Sequence, residues 1–332
     1  MKKAILVAGG AGYIGSHVCK ALAAAGYVPV VLDDLSAGRR DFVKFGPLVE
    51  ACVSDVAKVK AAISQHSIVA VIDLAGSIEV AESVADPLKY YDNNVAKKIP
   101  FLRAVTESGI TAFVFSSTAA VYGEPVMIPI PESHPTNPTN PYGWSKLMFE
   151  RLLHSVSASS DLRFMALRYF NAAGASPDGE IGEAHDPETH LIPRACLANL
   201  GAIAALEIFG NDYPTPDKTA LRDYIHVMDL AQAHVLAVTA LLDGAPSATY
   251  NLGNGVGTSI GEIIDAFARI GHPVPHSFKA RRAGDPSRLV ADSSAVRAGL
   301  GWVPLHTHVE DIIATAYRWH TSQQRITKVS EA

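Results

Sequence analysis

The run VAGGAGYIGSH constrains the fold of this chain more than any other stretch. Gly9, Gly12 and Gly15 follow a short apolar segment, 4–8, and precede a helical pattern over 14–25 that stops at Gly26. Residues 28–32 read as a second strand, with Pro29 near its start, where a missing N–H is tolerated. Glycines between strand and helix have steric causes: a tight turn, close approach of a pyrophosphate, and close packing of helix on strand. The start of the helix then offers free amides to that pyrophosphate. Asp33 lies 18 residues past Gly15, beside Asp34, after the second strand. A carboxylate there holds the adenosine ribose and repels a 2′-phosphate, so this β-α-β unit predicts NAD rather than NADP. Arg39 and Arg40 argue the other way. Asp55 is a candidate partner for the adenine amine or an ordinary helix cap.

The pattern then repeats. Strands are expected within 66–75, 109–117 and 161–171, with helices near 58–65, 93–107 and 144–158. The strands are continuously apolar, which indicates a parallel sheet covered on both faces. The first 171 residues thus predict a doubly wound, Rossmann-type domain. After Asn171 the texture changes to ASPDGEIGEAHDPETHLIP, too rich in Gly, Pro and Asp for a regular element. Helices follow near 192–204, 229–242, 259–270 and 308–319, with a hairpin or loop pair in FGNDYPTPDKTALRDYIHV. Residues 172–332 read mainly as a smaller α/β substrate lobe. Segments near 220–255 (DYIHV and YNL) are expected to return to the first sheet.

Composition narrows the class. A chain of 332 residues, 48% apolar, has ample material for a large core. A net charge of −5 without a long basic run excludes the electrostatic footprint of a nucleic-acid binder. The start MKKAILVAGG looks like a signal peptide, but its apolar stretch is short and a glycine motif interrupts it. No run of about 18 uncharged apolar residues occurs, so no membrane span is expected. Cys19, Cys52 and Cys196 lie far apart, which fits a reducing, cytoplasmic compartment and no zinc site. His185, His190, His226 and His234 do not stand at metal-ligand spacing with each other, and no metal is expected.

The second informative motif is NPYGWSK, about 130 residues after the first. Pro141 suits the first turn of a helix. Tyr142 and Lys146, four apart, share one face of it. A free tyrosine titrates near 10, too high for a good base at neutral pH, and a nearby ammonium lowers that value. Ser116, Ser117 and Thr118 end a parallel strand at the edge where such sheets bind ligands. Thr118 or Ser117 is positioned to hydrogen-bond the reacting oxygen.

In these residues the chain resembles the UDP-glucose 4-epimerases, within the extended short-chain dehydrogenase/reductase family. The resemblance rests on GGAGYIGSH, ESVADPLKYYDNNV, FSSTAAVYG, NPYGWSK, RYFNAAGASPDGEIGE, THLIP, FGNDYPTPDKTALRDYIHVMDLAQAH, YNLGNG and RRAGD. It implies interconversion of UDP-glucose and UDP-galactose through a bound 4-keto sugar and reversible hydride transfer to NAD. Tyr142 and Thr118 would flank the sugar 4-hydroxyl, with Lys146 supporting both cofactor and tyrosine. The implied cofactor set adds Tyr13, Ile14, Leu35, Ser36, Gly38, Val56, Leu74, Ala75, Gly76, Asn93, Ser116 and Tyr169 to the glycines and aspartates above. On the substrate side, Asn171, Arg222 and Arg282 would hold the diphosphate, and Leu191 and Phe209 the uracil. Asp285 would bind the uridine ribose, and Phe170, His190 and Tyr224 complete the set. A homodimer pairing through helices near 93–107 and 144–158 is implied as well.

The chain departs from the family pattern at Asp73, where a histidine is usual, at Ile78 and Glu79, near a usual lysine, and at Lys218, usually glycine. Related 4,6-dehydratases place Asp-Glu after the strand-end threonine, whereas Ala119 and Ala120 stand here. A 4-epimerase for UDP-N-acetylglucosamine or a UDP-pentose is the closer alternative, and mid-sized Leu289 at the gating position does not decide between them. A non-catalytic NAD-binding sensor or scaffold is the third reading.

Overall fold

The computed structural model describes residues 2–281 and 285–330. Six strands come first: β1 (Ala4–Ala8), β2 (Val28–Asp33), β3 (Leu48–Glu50), β4 (Ile68–Asp73), β5 (Ala112–Thr118) and β6 (Arg163–Tyr169). Every residue of β1 and β5 is buried, the signature of strands covered on both sides. Seven more follow: β7 (Asn171–Ala173), β8 (Leu206–Phe209), β9 (Leu221–His226), β10 (Ala248–Leu252), β11 (Gly257–Ser259), β12 (His276–Lys279) and β13 (Arg288–Leu289). The main sheet is parallel, in the order β10-β6-β5-β4-β1-β2-β3.

Two hydrophobic cores cover its faces. On one, Val59, Phe101, Phe149 and Leu153 from three helices pack on Leu6, Phe113 and Phe164. On the other, Val18 and Leu22 of the helix Tyr13–Ala24 and Leu230, Ala237 and Leu241 of the helix Val227–Leu242 pack on Ile5, Val7 and Met165. Each fully buried Leu, Val or Phe adds about 1.5–3 kcal/mol. A third core, around Ile192, Ile208, Phe267 and Ile313, belongs to the later elements.

The doubly wound sheet with its smaller α/β lobe is as expected, but several details differ. Tyr250–Leu252 does join the main sheet in β10, beside β6. DYIH does not: β9 sits in a separate four-stranded sheet with β7, β11 and β13. Of the hairpin or loop pair expected there, the hairpin does not form, because β8 pairs in parallel with distant β12 rather than with β9, and residues 210–220 are loop. These partners are dozens of residues apart, and local patterning carries no trace of such pairing.

The third difference concerns 93–107. Regular helix starts only at Lys98, after a wide π-helical turn over Asp92–Ala96. Such turns often mark functional sites. The last helix, Val309–Ser330, runs longer than expected. No helix among the described residues is long and apolar enough to cross a membrane.

Candidate active site

The strand order reverses between β1 and β4, so a crevice opens outside their carboxyl ends. The glycine run lies at this point. Gly9 has φ 76°, and a Cβ added there would lie 2.7 Å from the Ala75 nitrogen. A Cβ on Gly15 would lie 2.0 Å from the Gly9 carbonyl oxygen. A side chain at Gly9 would collide with Leu74 and Ala75 in the segment Leu74, Ala75 and Gly76 that follows β4, and one at Gly15 with the turn itself at Gly9 and Gly10. Gly12 caps the helix start ahead of Tyr13 and half-buried Ile14, and the Tyr13 hydroxyl donates to the Gly174 carbonyl at 2.7 Å.

Asp33 ends β2 with both carboxylate oxygens occupied, accepting from the amides of Ala11 and Leu35 at 2.9 Å each. Burial pushes its carboxyl up from the usual value, and these amides oppose the shift. Leu35 carries φ 59°, and a Cβ on Gly38 would meet the Asp33 carboxylate at 2.7 Å. Asp34 accepts from the Ser36 amide at 3.0 Å. Arg39 is paired with Asp41 and Arg40 with Glu50, so neither guanidinium is free to argue for NADP. Asp55 caps the helix that begins at Val56, accepting from the Lys58 amide at 3.1 Å.

At the π-helical turn, Asn93 donates to the Ser77 hydroxyl at 3.0 Å. Its neighbour Asn94 is the more deeply placed. It accepts from the Ser77 amide at 2.8 Å and donates to the Ser145 hydroxyl at 3.0 Å. Thus Asn94 ties the segment after β4 to the helix of the chemical pair. The sequence reading missed it; the doublet of asparagines was the available signal.

That helix is Pro141–Ala158, capped by Asn140, whose side chain accepts from the Gly143 amide at 2.9 Å. It aims Lys146 at the end of β5, where the ammonium donates to the Ser116 carbonyl at 2.8 Å. The same nitrogen lies 5.9 Å from the centre of the Tyr142 ring. The Thr118 side chain is near enough to oppose the rise of the Tyr142 phenol, and Tyr90 packs edge-on to the ring at 6.4 Å. Burial pulls Lys146 down to about 7, with the nearby Lys98 charge adding to the effect. The phenol moves opposite to expectation. Among the protein's own groups, desolvation outweighs every opposing influence and holds Tyr142 above its usual value.

Lys98 explains the departure at Asp73. The two are fully buried and paired at 2.8 Å, so the charge that replaces a histidine has its counter-ion inside the core. Beneath Thr118 lies a second buried network. Arg168 forks onto Glu150 at 3.0 and 2.6 Å, Ser117 donates to the same carboxylate, and Arg168 also donates to the Tyr122 hydroxyl at 2.9 Å. Ser117 is therefore committed downward, which leaves Thr118 as the hydroxyl facing Tyr142. Tyr169 is buried with its hydroxyl on His234.

Among the expected substrate residues, buried Phe170 packs with Ala119, Tyr122 and Leu289 beside the strand end. Asn171 opens β7 in register with buried Tyr224 on β9. Arg222 donates to Asp285 at 2.5 Å, and the Tyr213 hydroxyl reaches the same carboxylate at 3.4 Å. His190 caps the helix that begins at Leu191, and Phe209 ends β8. Arg282 lies outside the described residues. Its neighbour Arg281, not singled out from sequence, lies 4.2 Å over the Tyr213 ring and pairs with Asp212. Lys218, at a usual glycine, has φ 63°, the left-handed region glycine favours.

Of the four histidines set aside from metal binding, His226 and His234 are buried and bonded to Thr315 and to the Leu230 carbonyl. His185 and His190 instead converge with Glu183 and Glu188.

Residues 5–253 match the model of the NAD dependent epimerase/dehydratase family. The chain belongs to this family. It is 49% identical over 97% of its length to a UDP-glucose 4-epimerase of Azospirillum brasilense, covering 93% of that protein. A UDP-glucose 4-epimerase of Rhizobium leguminosarum bv. trifolii is 47% identical over 97% of this chain and 98% of its own. Among solved structures, the UDP-glucose 4-epimerase of Brucella ovis in complex with NAD aligns with TM-score 0.93 and 48% identity, over 95% of this chain and 97% of that one. The enzyme of Stenotrophomonas maltophila with bound NAD and formylated UDP-arabinopyranose aligns with TM-score 0.95 and 38% identity, over 98% and 99%.

Proposed function

We propose that the protein is an NAD-dependent 4-epimerase that interconverts UDP-glucose and UDP-galactose. The observation that carries this is the Tyr142, Thr118 and Lys146 constellation at the carboxyl end of β5, beside a glycine cradle at the switch point. Full-length identity of 47–49% to proteins named UDP-glucose 4-epimerase supports the substrate. Ala119 and Ala120 supply no acid or base for elimination, which argues against a dehydratase.

The cofactor residues fit the group. Gly9 and Gly15 let the turn close tightly on its own backbone and on Ala75, the form that aims amides at a pyrophosphate, and Asp33 is fixed for a ribose. Bound NAD supplies the acceptor, and later the donor, of the hydride at sugar C4. Tyr142 takes the proton of the 4-hydroxyl in one direction and returns it in the other. Thr118 holds the reacting oxygen against the phenol. Lys146, anchored on the Ser116 carbonyl, provides the positive charge a phenolate needs. Arg222 and Arg282 hold the diphosphate, about which the keto sugar turns to present its second face.

We assign residues 1–171 to the cofactor and mainly 172–332 to the UDP-sugar, with β10 completing the first sheet. Ile99, Trp144 and Met148 are partly exposed apolar residues on the two helices proposed to pair in a homodimer. The free thiols of Cys19, Cys52 and Cys196 support a reducing, cytoplasmic setting.

A substrate panel tests the reading. Purified protein is given UDP-glucose, UDP-galactose, UDP-N-acetylglucosamine and UDP-arabinose, and configuration at C4 is read by NMR. The expected result is equilibration of the first pair with no external reductant. Release of free keto sugar, or a need for reductant at each turnover, would sink it.

A further inference from the structure

The loop between β7 and the helix Leu191–Asn199 carries Glu183, His185, Glu188 and His190, one ligand atom of each lying within 4.8 Å of the others. Glu183, His185 and Glu188 have no part in the epimerase chemistry above; His190 alone also belongs to the substrate residues implied by the family resemblance. Glu183 and Glu188 have side chains only 3% and 8% exposed. Among the described residues their ion-pair partners are histidines alone.

As a plain hydrogen-bonded network the cluster is incomplete. Glu183 Oε2, Glu188 Oε2 and His190 Nδ1 are buried with no hydrogen-bond partner. His190 Nδ1 sits 2.6 Å from Glu183 Oε1, yet the contact lacks hydrogen-bond geometry. Glu188 Oε1, by contrast, is held by the amides of Thr189 and His190 at 2.8 and 2.9 Å, which orients the carboxylate and leaves Oε2 unused. Buried polar atoms without partners are costly, and three in one cluster call for a common ligand.

We propose that these four side chains bind one divalent first-row transition ion, zinc by preference, in a closed tetrahedral site of two imidazoles and two carboxylates. The histidine–carboxylate contacts in the cluster run from 2.6 to 3.9 Å, and one ligand atom of each residue lies within 4.8 Å of the others. A tetrahedron with bonds of about 2.0–2.1 Å has edges of about 3.3 Å, inside that spread. Charge agrees, since one dication neutralises two buried carboxylates while both imidazoles stay neutral. Four protein ligands leave no open position, so the ion is structural rather than catalytic. It would staple a loop that packs on Tyr13 of the cofactor turn, through His185 at 6.2 Å between ring centres. The same loop bonds Glu79 through Thr189 at 2.8 Å and leads into Leu191.

The test uses the whole protein, stripped with chelator and then titrated with zinc and with cobalt. The expected results are one equivalent of zinc retained through dialysis and the intense visible absorption of tetrahedral cobalt. A melting temperature that rises with zinc concentration should accompany them. His185→Ala and Glu188→Gln should each weaken zinc binding by more than the roughly 100-fold that losing an outer-shell partner costs. Lower pH should weaken it too, as protons compete for the imidazoles. No retained metal, no cobalt band and no thermal shift in the wild-type protein would overturn the proposal, as would equal binding by folded His185→Ala. These readouts do not involve the sugar reaction, so they stand or fall apart from the function proposed above.

Discussion

The cofactor crevice and the substrate lobe are built on different principles. The crevice is fixed by exclusion: Gly9 and Gly15 have backbone within 3 Å of where a Cβ would stand, and Asp73 and Lys98 form an ion pair sealed from water. The substrate lobe is fixed by attraction between distant segments. Short β7, β9, β11 and β13 meet in one sheet, and Arg222 reaches Asp285 across 63 residues of chain. Exclusion leaves no alternative geometry, whereas a partly exposed ion pair can open and re-form around a ligand. This difference suits a reaction in which the cofactor stays put while the sugar turns.

The sharpest way to break the comparison is at the point where the two regions meet. Tyr142→Phe should lower kcat by about 10²–10⁴, the usual worth of a positioned acid-base group, with the fold and cofactor content unchanged. Steady-state kinetics with circular dichroism and cofactor absorbance check it. Unchanged turnover would remove the base from the mechanism.

Next in size is the sealed pair. Lys98→Met leaves Asp73 charged and alone, which should cost about 3–5 kcal/mol of stability in denaturant titration. The double change Asp73→Asn with Lys98→Met should recover most of that loss. A Lys98→Met protein as stable as wild type would show that the core there is not closed to water. By contrast, Arg222→Lys in the substrate lobe keeps the charge and loses the fork. It should raise KM for the UDP-sugar, at about 1.5–3 kcal/mol of binding, while leaving the melting temperature nearly unchanged. A large stability loss instead would make Arg222 a structural residue.

A pH experiment probes the crevice from another side. Burial lowers Lys146 to about 7 in the folded chain, whereas an unfolded lysine titrates near its ordinary value of 10.5. Between those limits the unfolded state holds the extra proton, so this group makes stability rise with pH, by up to about 1.4 kcal/mol per pH unit. The burial cost is fully present below pH 7. Lys146→Met should flatten the difference between pH 7 and pH 9 in urea titrations, and an unaltered pH slope would contradict the depressed value.

How far these two regions were legible in sequence follows from the same contrast. Steric exclusion writes itself locally, so Gly9, Gly15, Asp33 and the Tyr142–Lys146 spacing stand out in a linear reading. The main sheet was legible for a related reason, since buried parallel strands are unbroken apolar runs. Lys98 was missed because its meaning depends on Asp73, 25 residues earlier and on another element. Of the hairpin or loop pair expected over 209–227, it is the loop that forms, because β8 and β9 take partners far along the chain. The convergence of Glu183, His185, Glu188 and His190 was overlooked because histidines were compared only with histidines, and the carboxylates between them went uncounted.

Asp55 offers the smallest effect and the finest distinction. Its carboxylate caps the helix Val56–Gln65 by accepting from Lys58, yet it is also the proposed partner of an adenine amine. Asp55→Ala should cost about 1 kcal/mol through the lost cap, whatever else the residue does. Asp55→Ser separates the roles, because serine caps as well as aspartate but is too short to extend beyond the helix end. If Asp55→Ser keeps wild-type stability and weakens NAD binding in calorimetry, the carboxylate contacts the adenine. If both properties match wild type, the residue is a cap and the crevice ends at Asp33.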